Sequence, residues 1–245
     1  MSSTVRRWVI YGVFLLLFIL LLIFPGGLKT VLTFLFPAET EHIYPRAPLT
    51  LLVGEHLLLV GISSSAAILI GLGLGISVTR PWGRDFLRTV NDISALGQTI
   101  PPVAVLALAI PFLGFGAQPT IVALILYSTL PILRNTVAGL ESVPAEVIEA
   151  ARGMGMRRYK VLGLVELPMA LPVILAGVRT SVVINVGTAT LGASVGAGGL
   201  GVPIVSGLVR ENPSFVLQGA IGAAFLALLL DRLLALFENT LSYRR

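Results

Sequence analysis

The chain has 245 residues, 56% of them hydrophobic and only 12% charged, with a mean hydropathy of +0.94. Soluble domains carry about 25% charged residues, so this balance excludes a soluble globular protein and describes one embedded in a membrane. The net charge of +5 needs no nucleic-acid partner, because basic membrane-flanking loops account for it. The absence of cysteine excludes disulfides, thiolate metal sites and Cys nucleophiles.

In chain order, apolar runs predict six spans: Trp8–Phe24, Leu57–Val78, Ile93–Phe112, Pro119–Leu140, Met169–Val186 and Phe215–Leu236. Most are close to the ~20 residues that cross a bilayer core. The first follows Arg6-Arg7 like a signal peptide, but Pro25-Gly26-Gly27-Leu28-Lys29 lacks a clean cleavage site, so it reads as a retained helix. The outer loop Pro25–Glu55 is mixed in charge and punctuated by proline. Gly71, Gly73 and Gly75 allow close helix approach, as does Gly192-x-x-x-Gly196. Two prolines in Gln98-Thr99-Ile100-Pro101-Pro102 predict a kink in the third span. Arg179 lies about 15 Å into the fifth span by helical rise; it is either a functional group or a packing arginine paired with a carbonyl or carboxylate. Asn185, Thr188, Thr190 and Ser194 form a polar line that can border a pathway or hydrogen-bond neighbouring helices. The stretch Gly187–Leu208 then carries Gly192, Gly196, Gly198, Gly199, Gly201 and Pro203. It predicts a broken or re-entrant segment, tolerated only beside protein or a water-filled cavity, and Gly196–Gly201 reads as an outer gate. Asp231-Arg232 near the end of the last span reads as an interfacial pair. His42 and His56 are too few and too peripheral for a metal or proton-relay site.

Basic residues set the orientation. With the N-terminus inside, thirteen fall on cytoplasmic segments, ending with Arg244-Arg245, against Lys29, Arg46 and Arg210 on outer loops. Both termini are therefore expected in the cytoplasm. Two regions follow: residues 1–50, a helix and outer loop, and residues 51–240, the main membrane domain, with a cytoplasmic loop at 141–168.

That loop, Glu141–Pro168, is the longest charged interruption of the membrane region. Ser142 can cap a helix with Pro144 in its first turn. Glu146 and Glu149 then lie towards its positive end and Arg152 towards its negative end. Gly153 and Gly155 can end that helix, Arg157–Val165 can form a second, and Pro168 starts the next span. On the residues alone, a solvated hairpin joining two spans and a docking element for an aqueous partner are equally admissible.

The pattern Glu149-Ala150-Ala151, three residues, Gly155, nine residues, Val165-Glu166-Leu167-Pro168 resembles the signature of permease subunits of ABC importers, with Val165 where isoleucine is usual. Gln98-Thr99-Ile100-Pro101, Gly114-Phe115-Gly116, Tyr127, Leu130–Thr136, Gly177-Val178-Arg179-Thr180 and Val195–Gly201 resemble the osmoprotectant branch, which takes up glycine betaine, choline and carnitine. The resemblance runs from about Leu57 to Asp231 and is closest to the Yeh-type permeases. It implies an all-α polytopic bundle of about six transmembrane helices with the type I, MetI-like importer fold, in the bacterial cytoplasmic membrane. Carried over by motif position, Glu149, Ala150, Ala151 and Gly155 are coupling contacts, and Leu167 and Pro168 set the angle at which the loop rejoins the membrane. Gln98, Asn185, Thr188, Thr190, Gly196, Gly198 and Gly199 are pathway or gate candidates. The implied partners are two ABC ATPase subunits, a second permease copy or sister permease, a periplasmic or lipid-anchored binding protein, and membrane lipid.

No Gly-x-x-x-x-Gly-Lys-Ser/Thr loop is present, and neither Lys29 nor Lys160 follows a glycine. The chain is thus expected to be neither an enzyme nor the holder of a cofactor or metal, with ATP-Mg used by the partner. An ion-coupled carrier usually buries carboxylates along its path; here Glu55, Asp92, Asp231 and Glu238 fall near span ends. Such a carrier, an importer of another cargo such as an amino acid, and an insertase-like structural protein are the alternatives. Trp8 and Trp82 fall at predicted interfaces, leaving Tyr127 as the one tyrosine well inside a span. Aromatic cages select quaternary ammonium, so selection is expected in the binding protein.

Overall fold

The computed structural model describes residues 3–242, and among them all regular structure is helical. Arg244-Arg245 lie outside the described residues. The helices are α1 (Ser3–Ile23), α2 (Pro25–Leu35), α3 (Leu49–Thr79), α4 (Leu87–Gly97), α5 (Pro102–Leu113), α6 (Ala117–Glu141), α7 (Ala145–Gly153), α8 (Arg158–Val161), α9 (Leu167–Ala189), α10 (Gly201–Val209) and α11 (Pro213–Ser242). Four helical runs are long and apolar enough to cross a membrane, and up to six if each of two bent pairs counts as one span.

The core is the α3–α6–α9 trio, with α11 against α9 and α10, and α1 against α11. Small residues bring the trio together: a Cβ on Gly75 would stand 2.6 Å from that of Thr136, and one on Gly177 would stand 2.4 Å from that of Asn135. Leu59, Val60, Leu124, Ile132, Val182 and Val186 are buried in the resulting seam. Polar bonds add register. Asn185 Nδ2 donates to Ser63 Oγ (2.8 Å) and Ser64 Oγ (3.0 Å), and Ser181 Oγ donates to the Ser128 carbonyl (2.7 Å). α1 is held to α11 by Phe18 stacked on Phe225 at 6.4 Å.

Several expectations are corrected. The segment after the first span is helical rather than loop: α2 leaves α1 at 82°. It buries Leu28 and Leu32 and leaves Phe34 84% exposed. α3 begins at Leu49, well before the expected Leu57. The third span is broken rather than kinked, with the helices on either side of Gln98–Pro101 meeting at 98°. Pro101 and Pro102 each lack a backbone donor, and Pro101 also bars Ile100 from helical geometry. Across the break, Tyr127 Oη donates to the Ile100 carbonyl and Arg134 Nη1 donates to Gln98 Oε1 (3.3 Å). Tyr127 and Arg134 are seven residues apart on α6, hence on one face.

Candidate functional site: the Glu149 loop and the glycine loop

Two loops at the ends of the α3–α9 pair carry the candidate residues. At one end, α7 starts after Pro144, whose extended backbone makes it the cap position. Ser142 does not cap α7; its Oγ donates back to the Gly139 carbonyl (2.8 Å), closing α6. α7 ends in a main-chain double bond: Met156 N–H to the Ala151 carbonyl (3.2 Å) and Gly155 N–H to the Arg152 carbonyl (2.9 Å). Gly155 has φ +79°, the left-handed conformation this turn requires. Glu146 in the first turn and Arg152 in the last complement the helix dipole.

The signature residues do not share one surface. Glu149, Ala150 and Gly155 are exposed, whereas Ala151 is 2% exposed and packs inward. Beside the exposed set stand Met154 (77% exposed) and Tyr159 (64%), with Arg157, Arg158 and Lys160 also exposed. An apolar, basic and acidic surface on one short helical pair is what a protein partner can grip. Leu167 and Pro168 are half-buried in the first turn of α9, within a continuous helical run, Arg158–Val195. A π-helical turn, Leu162–Glu166, precedes them, in which the Leu167 N–H reaches back to the Leu162 carbonyl. The buried Glu166 carboxylate pairs with Arg80 Nη2 at 2.6 Å, joining this turn to the end of α3. A cavity of about 470 Å³ between them is lined by Arg80, Arg84, Ile148, Arg152 and Glu166 among others.

At the other end, α9 tightens into a 3-10 helix, Thr190–Val195, and the chain turns through Gly196, Gly198 and Gly199, all at positive φ, before α10. The segment is broken as the glycines predict. Glu55 Oε2 accepts the Gly199 N–H (2.8 Å) and His56 Nδ1 accepts the Leu200 N–H (3.3 Å). His56 Nε2 donates to the Val186 carbonyl (2.9 Å), since a carbonyl can only accept. His56 is wholly buried and so not peripheral. The Gly116 N–H, at the start of α6, donates to the Val195 carbonyl (2.6 Å).

Of the pathway and gate candidates, Gly196 is exposed, Thr188 and Thr190 are half-buried, and Asn185 is buried between α3 and α9. The Thr190 and Ser194 hydroxyls donate to carbonyls of their own helix. Gln98 stands apart, at the α4–α5 break. Arg179 pairs with Asp231 through Nε (2.5 Å) and Nη2 (2.9 Å), with Glu238 at 3.8 Å. Asp231 therefore serves α9 rather than its neighbour Arg232. Among the described residues no group of three or more His, Cys, Asp or Glu could hold a metal ion.

A family model described as the binding-protein-dependent transport system inner membrane component matches residues 67–243. The chain belongs to this family. It is a membrane permease of the ABC importer class with the MetI-like fold. It is 42% identical over 241 residues to the osmoprotectant import permease protein OsmY of Salmonella typhimurium, covering 98% of each chain. It is 40% identical over 186 residues to the glycine betaine/carnitine/choline transport system permease protein OpuCB of Bacillus subtilis, covering 76% of this permease and 85% of that one. Among solved structures, an inward-facing conformation of the MetNI methionine ABC transporter aligns with a TM-score of 0.72 at 28% identity, over 79% of this chain and 95% of that one.

Proposed function

We propose that this permease forms the membrane half of an ATP-driven importer for quaternary ammonium osmoprotectants such as glycine betaine, choline or carnitine. The observation that carries the cargo is 42% identity over nearly the whole chain to a permease named for osmoprotectant import. Two permease bundles, this chain with itself or with a sister, enclose the path. Two ATPase subunits bind and hydrolyse ATP-Mg, and a binding protein delivers substrate outside. The Glu149 loop faces the cytoplasm, as do both termini, and the glycine loop faces outward. Exposed Glu149, Ala150, Met154 and Tyr159 support the first as the docking element. Nucleotide-driven closure of the ATPases draws the two Glu149 loops together and swings the bundles from inward- to outward-open.

The test is ATP hydrolysis by the permease reconstituted in lipid with its ATPase, with and without binding protein and glycine betaine. At least threefold stimulation only when both are present is expected. Assembly with the ATPase but stimulation by methionine instead of betaine would move the cargo to an amino acid, the second reading favoured by the MetNI likeness. Uptake with no ATPase present would overturn the importer assignment in favour of an ion-coupled carrier. Glu149→Lys is expected to cut betaine-stimulated hydrolysis at least tenfold while membrane insertion is unchanged.

A further inference from the structure

The glycine loop is held by two consecutive residues of a distant helix. The N–H groups of Gly199 and Leu200 are adjacent, and α3 meets them with adjacent acceptors, Glu55 and His56, from 144 residues away. Irregular backbone at membrane depth needs such partners. The fit is close: a Cβ on Gly198 would lie 2.5 Å from Glu55 Oε2, and one on Gly199 would lie 2.9 Å from His56 Nδ1. Both glycines also sit at positive φ, so space and conformation both require them. The two acceptors differ in character. His56 is buried and bonded on both ring nitrogens, one to the loop and one to Val186 of α9. Glu55 is half-buried and spends one oxygen on the loop. A carboxylate with access to water can exchange a main-chain N–H for a water at little net change, which suits a contact that breaks and remakes.

We propose that Glu55 and His56 are positioning residues that latch the loop Gly196–Leu200 onto α3, and that release of the Glu55 bond frees the loop. The inference rests on the reading of this loop as the outer gate. It gives two residues that the motifs of the sequence do not mark a task in transport.

The chain contains no cysteine, so Ala197→Cys, half-buried within the loop, supplies a lone reporter thiol. The permease, assembled with its ATPase in lipid nanodiscs, is labelled with a hydrophilic maleimide. Thr40→Cys, exposed between α2 and α3, is the reference site in a parallel series. Adding Glu55→Ala is expected to speed labelling at position 197 at least threefold and leave position 40 unchanged. Adding Glu55→Gln is expected to restore the slow rate at 197, because its amide oxygen still accepts the Gly199 N–H. No acceleration at 197 in Glu55→Ala would overturn the latch. So would equal acceleration at both sites, which marks general loosening. Acceleration confined to 197, with the ratio of stimulated to basal ATP hydrolysis unchanged, would keep the latch and remove the gate reading beneath it.

Discussion

Gly155 illustrates how much of the candidate site is set by single positions. Its φ of +79° costs a side-chain-bearing residue about 1–2 kcal/mol, so Gly155→Ala should loosen the α7 turn by that amount, seen as faster amide exchange confined to residues 150–156. Gly75 and Gly73 make a sharper pair. Gly75→Ala must displace Thr136 and should destabilise the permease by roughly 1–3 kcal/mol. Gly73 faces open space, and Gly73→Ala should be neutral or stabilising by ~0.5–1 kcal/mol; thermal melts in detergent distinguish them. The sequence marks all three of Gly71, Gly73 and Gly75 as candidates for close approach, but only the fold says which of them meet a neighbour. The same limit hid Glu55 and His56. Their partners lie 144 residues away, and no local periodicity signals a contact of that range.

At the scale of elements, the six apolar runs are legible because a bilayer demands length and hydropathy together. Their breaks are less so. Averaged hydropathy joins α4 and α5 into one span, although Pro101 and Pro102 remove two consecutive donors and the pair meets at 98°. Tyr127→Phe, which leaves the Ile100 carbonyl without its hydroxyl donor, should cost about 1–2 kcal/mol. The return of the Glu149 loop is likewise smoother than its charge pattern suggests: a π turn, Leu162–Glu166, leads straight into α9, with Pro168 in the first turn of that helix. Glu166, the unremarkable residue of that motif, proves to be buried against Arg80. Arg80→Ala should therefore cost about 3 kcal/mol by stranding a buried carboxylate. The double variant Arg80→Met/Glu166→Leu should recover most of it in a double-mutant cycle of thermal melts.

For the molecule as a whole, the face of α9 and its 3-10 extension turned away from their partners carries Thr180, Ile184, Gly187 and Leu191, all exposed at helical spacing. Beside it, Arg179, Asp231 and Glu238 line a cavity of about 350 Å³. Charged groups within spans avoid lipid, so under the proposed function this face meets the second permease or the shared path. Where this chain pairs with itself, Ile184→Cys in the cysteine-free chain should then give, on mild oxidation, a disulfide-linked species at twice the 25.9 kDa chain mass; a species only at the single-chain mass, in a permease shown by cross-linking to be a homodimer, would place this face elsewhere. The closure of α7 bears on how such an assembly changes over evolutionary time. The bonds that end α7 at Gly155 are made by main chain alone, so this turn does not depend on which side chains the helix exposes. Under the proposed function, exposed Glu149, Ala150, Met154 and Tyr159 can then change with the surface of a partner ATPase while the turn that ends α7 is kept. On that reading, one permease scaffold can come to serve a different ATPase by surface substitution alone.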